Sequence, residues 1–147
     1  MKIKVKYHTD NVQAAQINVG DWIDLRAAED TKVWFLRQKR ISLGISIELP
    51  KGYEAHVLPR SSTPTTFGIV MSNSQGIIDN SYCGDDDIWQ FPALGIRFPF
   101  ATIHKGDRIA QFRTVKTMRE NFGEIDIEEV ICLGNKNRGG FGSTGIQ

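Results

Sequence analysis

In the segment Ile41-Ser42-Leu43-Gly44-Ile45-Ser46-Ile47-Glu48-Leu49, every odd position carries a large aliphatic side chain and every even position a small or polar one. Successive side chains on a β-strand point to opposite faces, so this strict period of two buries one face and wets the other. A helix would scatter the same aliphatics around its circumference. The chain opens on the same pattern, with Ile3, Val5 and Tyr7 alternating with Lys2, Lys4 and Lys6. Shorter strands are predicted at residues 22–26, 33–37, 53–58, 67–71, 88–91, 109–115 and 125–131. Turn formers separate them: Asn18-Val19-Gly20-Asp21, Pro50-Lys51-Gly52 and Lys105-Gly106-Asp107. Many short strands at this spacing predict an all-β chain built as a sandwich, barrel or jelly roll. No long 3.6-residue period is present, and residues 61–66 offer one helical turn at most.

The length of 147 residues suggests a single domain, large enough to bury a core without disulfide or metal staples. Its 18 basic and 17 acidic residues nearly cancel. A protein that grips long nucleic acid carries a clear basic excess. Phosphate chemistry in this chain therefore concerns a small anion held by a few placed groups, and no nucleic-acid partner is expected. The two cysteines, Cys83 and Cys132, form no CxxC pair, which argues against zinc and for a reducing compartment. No apolar run approaches the ~20 residues of a membrane span, and the N-terminus lacks the apolar stretch of a signal peptide. The expectation is a cytoplasmic protein with no membrane partner.

Composition shifts only at the end. Residues 134–147 hold five of the 14 glycines, with Ile146 as the sole aliphatic. Such a segment cannot offset its ordering entropy by burial. The predicted organisation is a β domain over 1–133 followed by a flexible arm over 134–147 that a ligand orders.

Five segments carry candidate chemistry, and each has a plain structural alternative. Asp24, between Ile23 and Leu25 on a predicted strand, points away from the face that buries those two, as a solvated carboxylate would. Arg60-Ser61-Ser62 puts a planar cation and two hydroxyls at a strand end, which suits an anion, although serines also cap turns. The run from Asn73 to Asp85 reads as a hairpin in which Gly76 permits close backbone approach and Asp79 precedes an aromatic, Tyr82. An acid beside an aromatic surface can act as a general base, while an Asp in a turn often bonds its own backbone. Gln111, beyond the Lys105-Gly106-Asp107 turn, can donate to an anion without adding charge. The tail Arg138-Gly139-Gly140-Phe141-Gly142-Ser143-Thr144-Gly145 offers free backbone N–H groups, two hydroxyls and a cation, without the spacing of a Walker loop.

In order and spacing these five segments resemble the trimeric deoxyuridine triphosphate pyrophosphatase (dUTPase) family, from about residue 18 to residue 145. The most specific matches are residues 76–84, 106–111 and 138–145. The resemblance implies a jelly-roll-like β-barrel that hydrolyses dUTP to dUMP and pyrophosphate with Mg²⁺, in a homotrimer whose sites are each built by three chains. It implies that Asp79 orients and deprotonates the attacking water, and that Asp24 meets the metal through coordinated water. Arg60, Ser61, Ser62 and Gln111 would hold the phosphates. Asn73 and the backbone around Gly76 and Ile78 would bond the uracil edge, and Tyr82 would exclude a 2′-hydroxyl. Arg138, Phe141, Gly142, Ser143 and Thr144 would close over the nucleotide, with Phe141 on the base.

Ser62 stands where many relatives have Gly, and the tail is one glycine shorter than in some. The stretch Asp85-Asp86-Asp87-Ile88-Trp89-Gln90-Phe91 is more acidic and aromatic than usual; three successive Asp on a strand cannot bind one ion, so it reads as a solvated turn. Two other readings share the fold. A dCTP deaminase usually carries an Arg soon after the Arg-Ser-Ser and a Glu where Trp89-Gln90 stands, and here Thr63-Pro64-Thr65-Thr66 follows the serines. A regulatory module would bind a protein partner, with residues 85–91 as the candidate surface. Cys83, His8, His56 and His104 are assigned no role.

Overall fold

The computed structural model describes residues 1–16 and 20–145; the predicted turn at Asn18-Val19 and the aliphatic Ile146 lie outside the described residues. The described chain contains twelve strands: β1 (Lys4–Tyr7), β2 (Ala15–Gln16), β3 (Ile23–Arg26), β4 (Thr31–Trp34), β5 (Gln38–Ser42), β6 (Ile45–Glu48), β7 (Tyr53–Pro59), β8 (Ile69–Met71), β9 (Gly76–Ile78), β10 (Gln90–Gly95), β11 (Phe100–Ile103) and β12 (Arg108–Lys116). Two short helices, α1 (Thr63–Phe67) and α2 (Met118–Phe122), follow β7 and β12. The largest sheet runs β2-β3-β12-β7-β9. A second runs β5-β10-β8, and β1-β6 and β11-β4 form two-stranded ribbons. All of these ladders are antiparallel, and the fold is jelly-roll-like.

The period-two run delivers its buried face: Ile41, Leu43, Ile45, Ile47 and Leu49 all lie in the core. It is not one strand, however. The backbone turns at Leu43-Gly44, so that β5 joins one sheet and β6 another. Gly44 has φ of 64°, and a Cβ there would meet the Ala28 Cβ at 2.9 Å. Glycine thus supplies both the left-handed conformation and the close approach at the sheet corner. Ser46 is buried against the alternation, held by His8 Nε2 at 2.9 Å and donating to the Asp85 carbonyl at 3.1 Å.

Several predicted boundaries move. The strand expected at 33–37 is β4, and Leu36, with φ of 57°, turns the chain into β5. The strand expected at 88–91 starts later and runs to Gly95, because Trp89 is anchored by single backbone bonds to Leu43 and Ile45 rather than by a ladder. Phe67 ends α1 instead of opening β8. The strand expected at 125–131 does not form: the segment is exposed, with Ile127 at 95%. An extended segment needs a ladder partner, and none of the described strands pairs with it. Within residues 85–91 the two aromatics, Trp89 and Phe91, are core residues; Asp85, Asp86 and Gln90 are exposed, and Asp87 closes a turn by accepting from Gly84 N at 2.8 Å.

The core joins the sheets through aromatic contact. Trp89 and Phe112 meet edge to face with centroids 5.1 Å apart, and both are buried. Truncating Phe112 to alanine is expected to cost ~3–5 kcal/mol, from lost transfer energy and the remaining cavity, read as a shift of the denaturant midpoint.

Candidate active site

The large sheet and the turn after β7 gather four polar side chains from three distant stretches of the sequence. On β12, Gln111 pairs with Asp24 of β3 on one side and Leu58 of β7 on the other. Asp24 is completely buried, which corrects the expectation of a solvated carboxylate. The face it occupies, opposite Leu25, is roofed by two arginines. Arg60 Nε lies 3.1 Å from Oδ1 and Arg108 Nη1 lies 3.1 Å from Oδ2. The second contact is a directed hydrogen bond; at Oδ1 the geometry is off line, so that contact is Coulombic. The turn after β7 is fixed by buried Thr63, which accepts from Arg60 N at 2.9 Å and donates to the Ile109 carbonyl at 2.8 Å.

Arg60 and Arg108 remain partly exposed, with side chains at 27% and 47%. One carboxylate faces two guanidiniums, so the cluster carries a net positive charge toward solvent, which suits an anion. Ser61 is exposed and Ser62 half-buried beside it, and the Ser62 side chain does not cap α1. Gln111 donates to the Pro59 carbonyl at 3.2 Å. Arg108 was not singled out from the sequence. A β-bulge between Arg108 and Ala110 shifts the register at this point, and no local signal announces which way the side chain then faces.

The second group sits on the β8–β9 hairpin. Asn73, in its loop, is exposed; Gly76 and Ile78 begin and end β9, and both are half-buried. A Cβ on Gly76 would stand 3.2 Å from the Val57 Cβ, so the small residue lets β9 lie close on β7. Asp79 follows β9 and accepts from the backbone N–H and the hydroxyl of Ser81, at 2.8 and 2.5 Å. The hydroxyl first, and the N–H second, hold this carboxyl below the ordinary aspartate range. Asn80 anchors the hairpin by donating to the carbonyls of Pro50 and Tyr53. Tyr82 is partly exposed, and its Oη donates to the Ile88 carbonyl at 3.4 Å. Beside it opens a cavity of about 390 Å³ walled by Ile78, Asp79, Ser81, Tyr82, Trp89 and Gln90.

The chain does not bring the two groups together. Ile78 pairs with Ala55 on β7, so Asp79 sits level with Glu54, and the anion cradle lies at the far end of the same strand. At strand rise, that separation is roughly 20 Å. The tail is a third, separate part. Arg138, Phe141, Gly142, Ser143 and Thr144 are all exposed, in a pair of turns closed by Ser143 N to the Gly140 carbonyl and Gly145 N to the Gly142 carbonyl. Among the described residues, no group of three or more His, Cys, Asp and Glu side chains gathers to hold a metal ion.

These features define a small all-β protein that offers a polyanion cradle on one part of the chain and, on another, a nucleoside-sized cavity walled in part by an exposed carboxylate. Comparison with known proteins makes the class specific. The family model for dUTPase matches residues 17–145, and this chain belongs to the dUTPase family. It is 52% identical, over the whole length of both chains, to the SPbeta prophage-derived deoxyuridine 5'-triphosphate nucleotidohydrolase of Bacillus subtilis. It is 34% identical, over 99% of each chain, to the deoxyuridine 5'-triphosphate nucleotidohydrolase of Finegoldia magna. Among solved structures, a dUTPase of Staphylococcus bacteriophage 80alpha with dUpNHpp superposes with a TM-score of 0.79 over 99% of both chains at 18% identity. The dUTPase of Streptococcus mutans gives 0.72 over 80% of this chain and 97% of that one, at 19% identity. At those identities the likeness supports the shared fold.

Two outcomes test the site's physics without an assay of activity. Asp24→Asn leaves two guanidiniums facing a neutral amide, and is expected to destabilise the chain by about 3 kcal/mol, the low end for breaking a buried pair because both arginines are partly solvated. Equilibrium denaturation reads it. The Asp79 carboxyl should titrate below the ordinary 3.8 in a carbon-detected NMR titration. A depressed value means the charged form persists to lower pH; removing the hydroxyl in Ser81→Ala should move the midpoint upward.

Proposed function

We propose that this chain hydrolyses dUTP to dUMP and pyrophosphate, with water attacking the α-phosphate and Asp79 as general base, at sites shared among the chains of a homotrimer. The carrying observation is the separation of roughly 20 Å between Asp79 and the Arg60–Arg108 cradle on one β7 strand. A triphosphate cannot have its α-phosphorus beside one and its phosphate chain on the other unless a second chain supplies the cradle. The exposed tail, with its turns already formed, is free to reach the site of a further chain.

In that arrangement Arg60 and Arg108 hold the phosphates, assisted by Ser61, Ser62 and Gln111. Hydrolysis of a phosphoanhydride mostly requires positioning and charge stabilisation, which this cradle offers. Asp79 is ionised at neutral pH, as an ordinary aspartate is, and is available to take the proton of water; its bonds to Ser81 extend the charged form to lower pH. Asn73 and the backbone at Gly76 and Ile78 bond the uracil edge, and Tyr82 packs against the deoxyribose. Arg138, Phe141, Gly142, Ser143 and Thr144, in the arm over 134–147, close over the nucleotide and exclude water, with Phe141 on the base.

Mg²⁺, when bound, neutralises charge on the triphosphate. With no cluster of acidic ligands among the described residues, the cation fits as one carried by phosphate oxygens. Asp24 would reach its coordinated water only after Arg60 or Arg108 turns from the carboxylate to the phosphates. We place the protein in the cytoplasm, where its two exposed free cysteines stay reduced. The deaminase reading has less support, because buried Trp89 and neutral Gln90 stand where that chemistry needs a carboxylate.

The direct test incubates the protein with dUTP, dCTP, dTTP and UTP in the presence of Mg²⁺ and identifies the products. dUMP and pyrophosphate from dUTP alone are expected; deamination of dCTP, or no turnover, overturns the reading. The shared site has its own test. Asp79→Asn protein and protein truncated after Leu133 should each be inactive. Refolded together at random, they should regain about a quarter of the sites if base and tail come from different chains of a closed ring. No recovery in verified mixed trimers excludes it.

A further inference from the structure

The cavity beside Asp79 has a wall that the hairpin does not supply. Ile88, Trp89 and Gln90 close it from the start of β10. Gln90 is held there rigidly. On one side of it Trp89 is buried, with its N–H on the Ile45 carbonyl at 2.8 Å and its carbonyl accepting from Leu43 N at 2.9 Å. On the other side Phe91 is fully buried and pairs with Ile41, while Gln90 itself pairs with Ser42. Two buried aromatics on one face force the residue between them onto the other. Gln90 is accordingly exposed, at the mouth of the cavity that holds Asp79 and Tyr82. The bond from Tyr82 Oη to the Ile88 carbonyl ties the hairpin to this wall.

One side-chain polar group on this wall lacks a protein partner. The Gln90 carboxamide enters none of the hydrogen bonds of the described residues, unlike the amides of Asn80 and Gln111. The cavity's other side chains are a carboxylate, hydroxyls and aliphatics. A carboxamide adds a paired donor and acceptor without charge, which complements the neutral polar groups of a pyrimidine deoxynucleoside better than it complements phosphate.

We propose that Gln90 is a further substrate-binding residue, which hydrogen-bonds the nucleoside half of the nucleotide held against Tyr82. The proposal rests on the dUTPase reading and extends it to a residue outside the five motif segments. The test compares wild type with Gln90→Leu, which keeps the bulk and removes the hydrogen bonds. Calorimetric affinity for dUMP should fall about 3–10-fold, the worth of one neutral hydrogen bond, while affinity for inorganic pyrophosphate stays unchanged. KM for dUTP should rise by a similar factor with kcat nearly constant, and the unfolding midpoint should not move.

Unchanged dUMP affinity in Gln90→Leu overturns the proposal, as does an equal loss for dUMP and pyrophosphate, which would mark a structural effect. Failure of the function reading is distinguishable, because there the wild-type protein itself would not hydrolyse dUTP.

Discussion

A buried carboxylate between two guanidiniums organises one end of this molecule. Asp24 has no access to water, and an isolated charge in that position would cost several kcal/mol in desolvation. Arg60 and Arg108 offset the cost at 3.1 Å each. The three residues belong to β3, the turn after β7, and β12, so the pairing fixes these elements in one register. It also leaves the cluster one positive charge in excess, on two side chains whose outer edges face solvent. The interaction that holds the sheet together at this point therefore also leaves an excess positive charge facing solvent.

The length of β7 then divides the chemistry. At one end its ladder with β12 sets the cradle, and at the other its ladder with β9 sets Asp79. A strand is stiff, so one chain does not fold these parts together, and the shared site proposed above answers that separation. The exposed aliphatics of residues 125–131 and the exposed Phe141 are consistent with a chain whose surface is finished by copies of itself.

Much of the fold was legible locally. The alternation from Ile41 to Leu49 identified the buried face residue by residue, because burial of alternate positions is a property of neighbours on one strand. Its break at Gly44 was not legible, since the need for a corner comes from Ala28, packed within 2.9 Å of a would-be Cβ. Residues 125–131 show the converse: the pattern of a strand is present, but no described strand pairs with it, and backbone groups do not form a ladder alone. Asp79 carries both readings weighed from sequence. It does bond its own turn through Ser81, and its outer edge still faces solvent, open for the role proposed for it.

The amino-acid sequence by itself determined the strand period, the turns, and the ordered set of polar segments that belong to this family, because each depends on residues within a few positions of one another. Tertiary structure alone decided that Asp24 is buried, that Arg108 joins it from 84 positions away, that Asp79 and the cradle stand at opposite ends of β7, and that Gln90 faces the nucleoside-sized cavity. The physical reason is common to all four. A side chain's exposure and charge environment are set by whatever covers its face of the sheet, and that cover comes from strands brought alongside by pairing, at distances along the chain that no local pattern records.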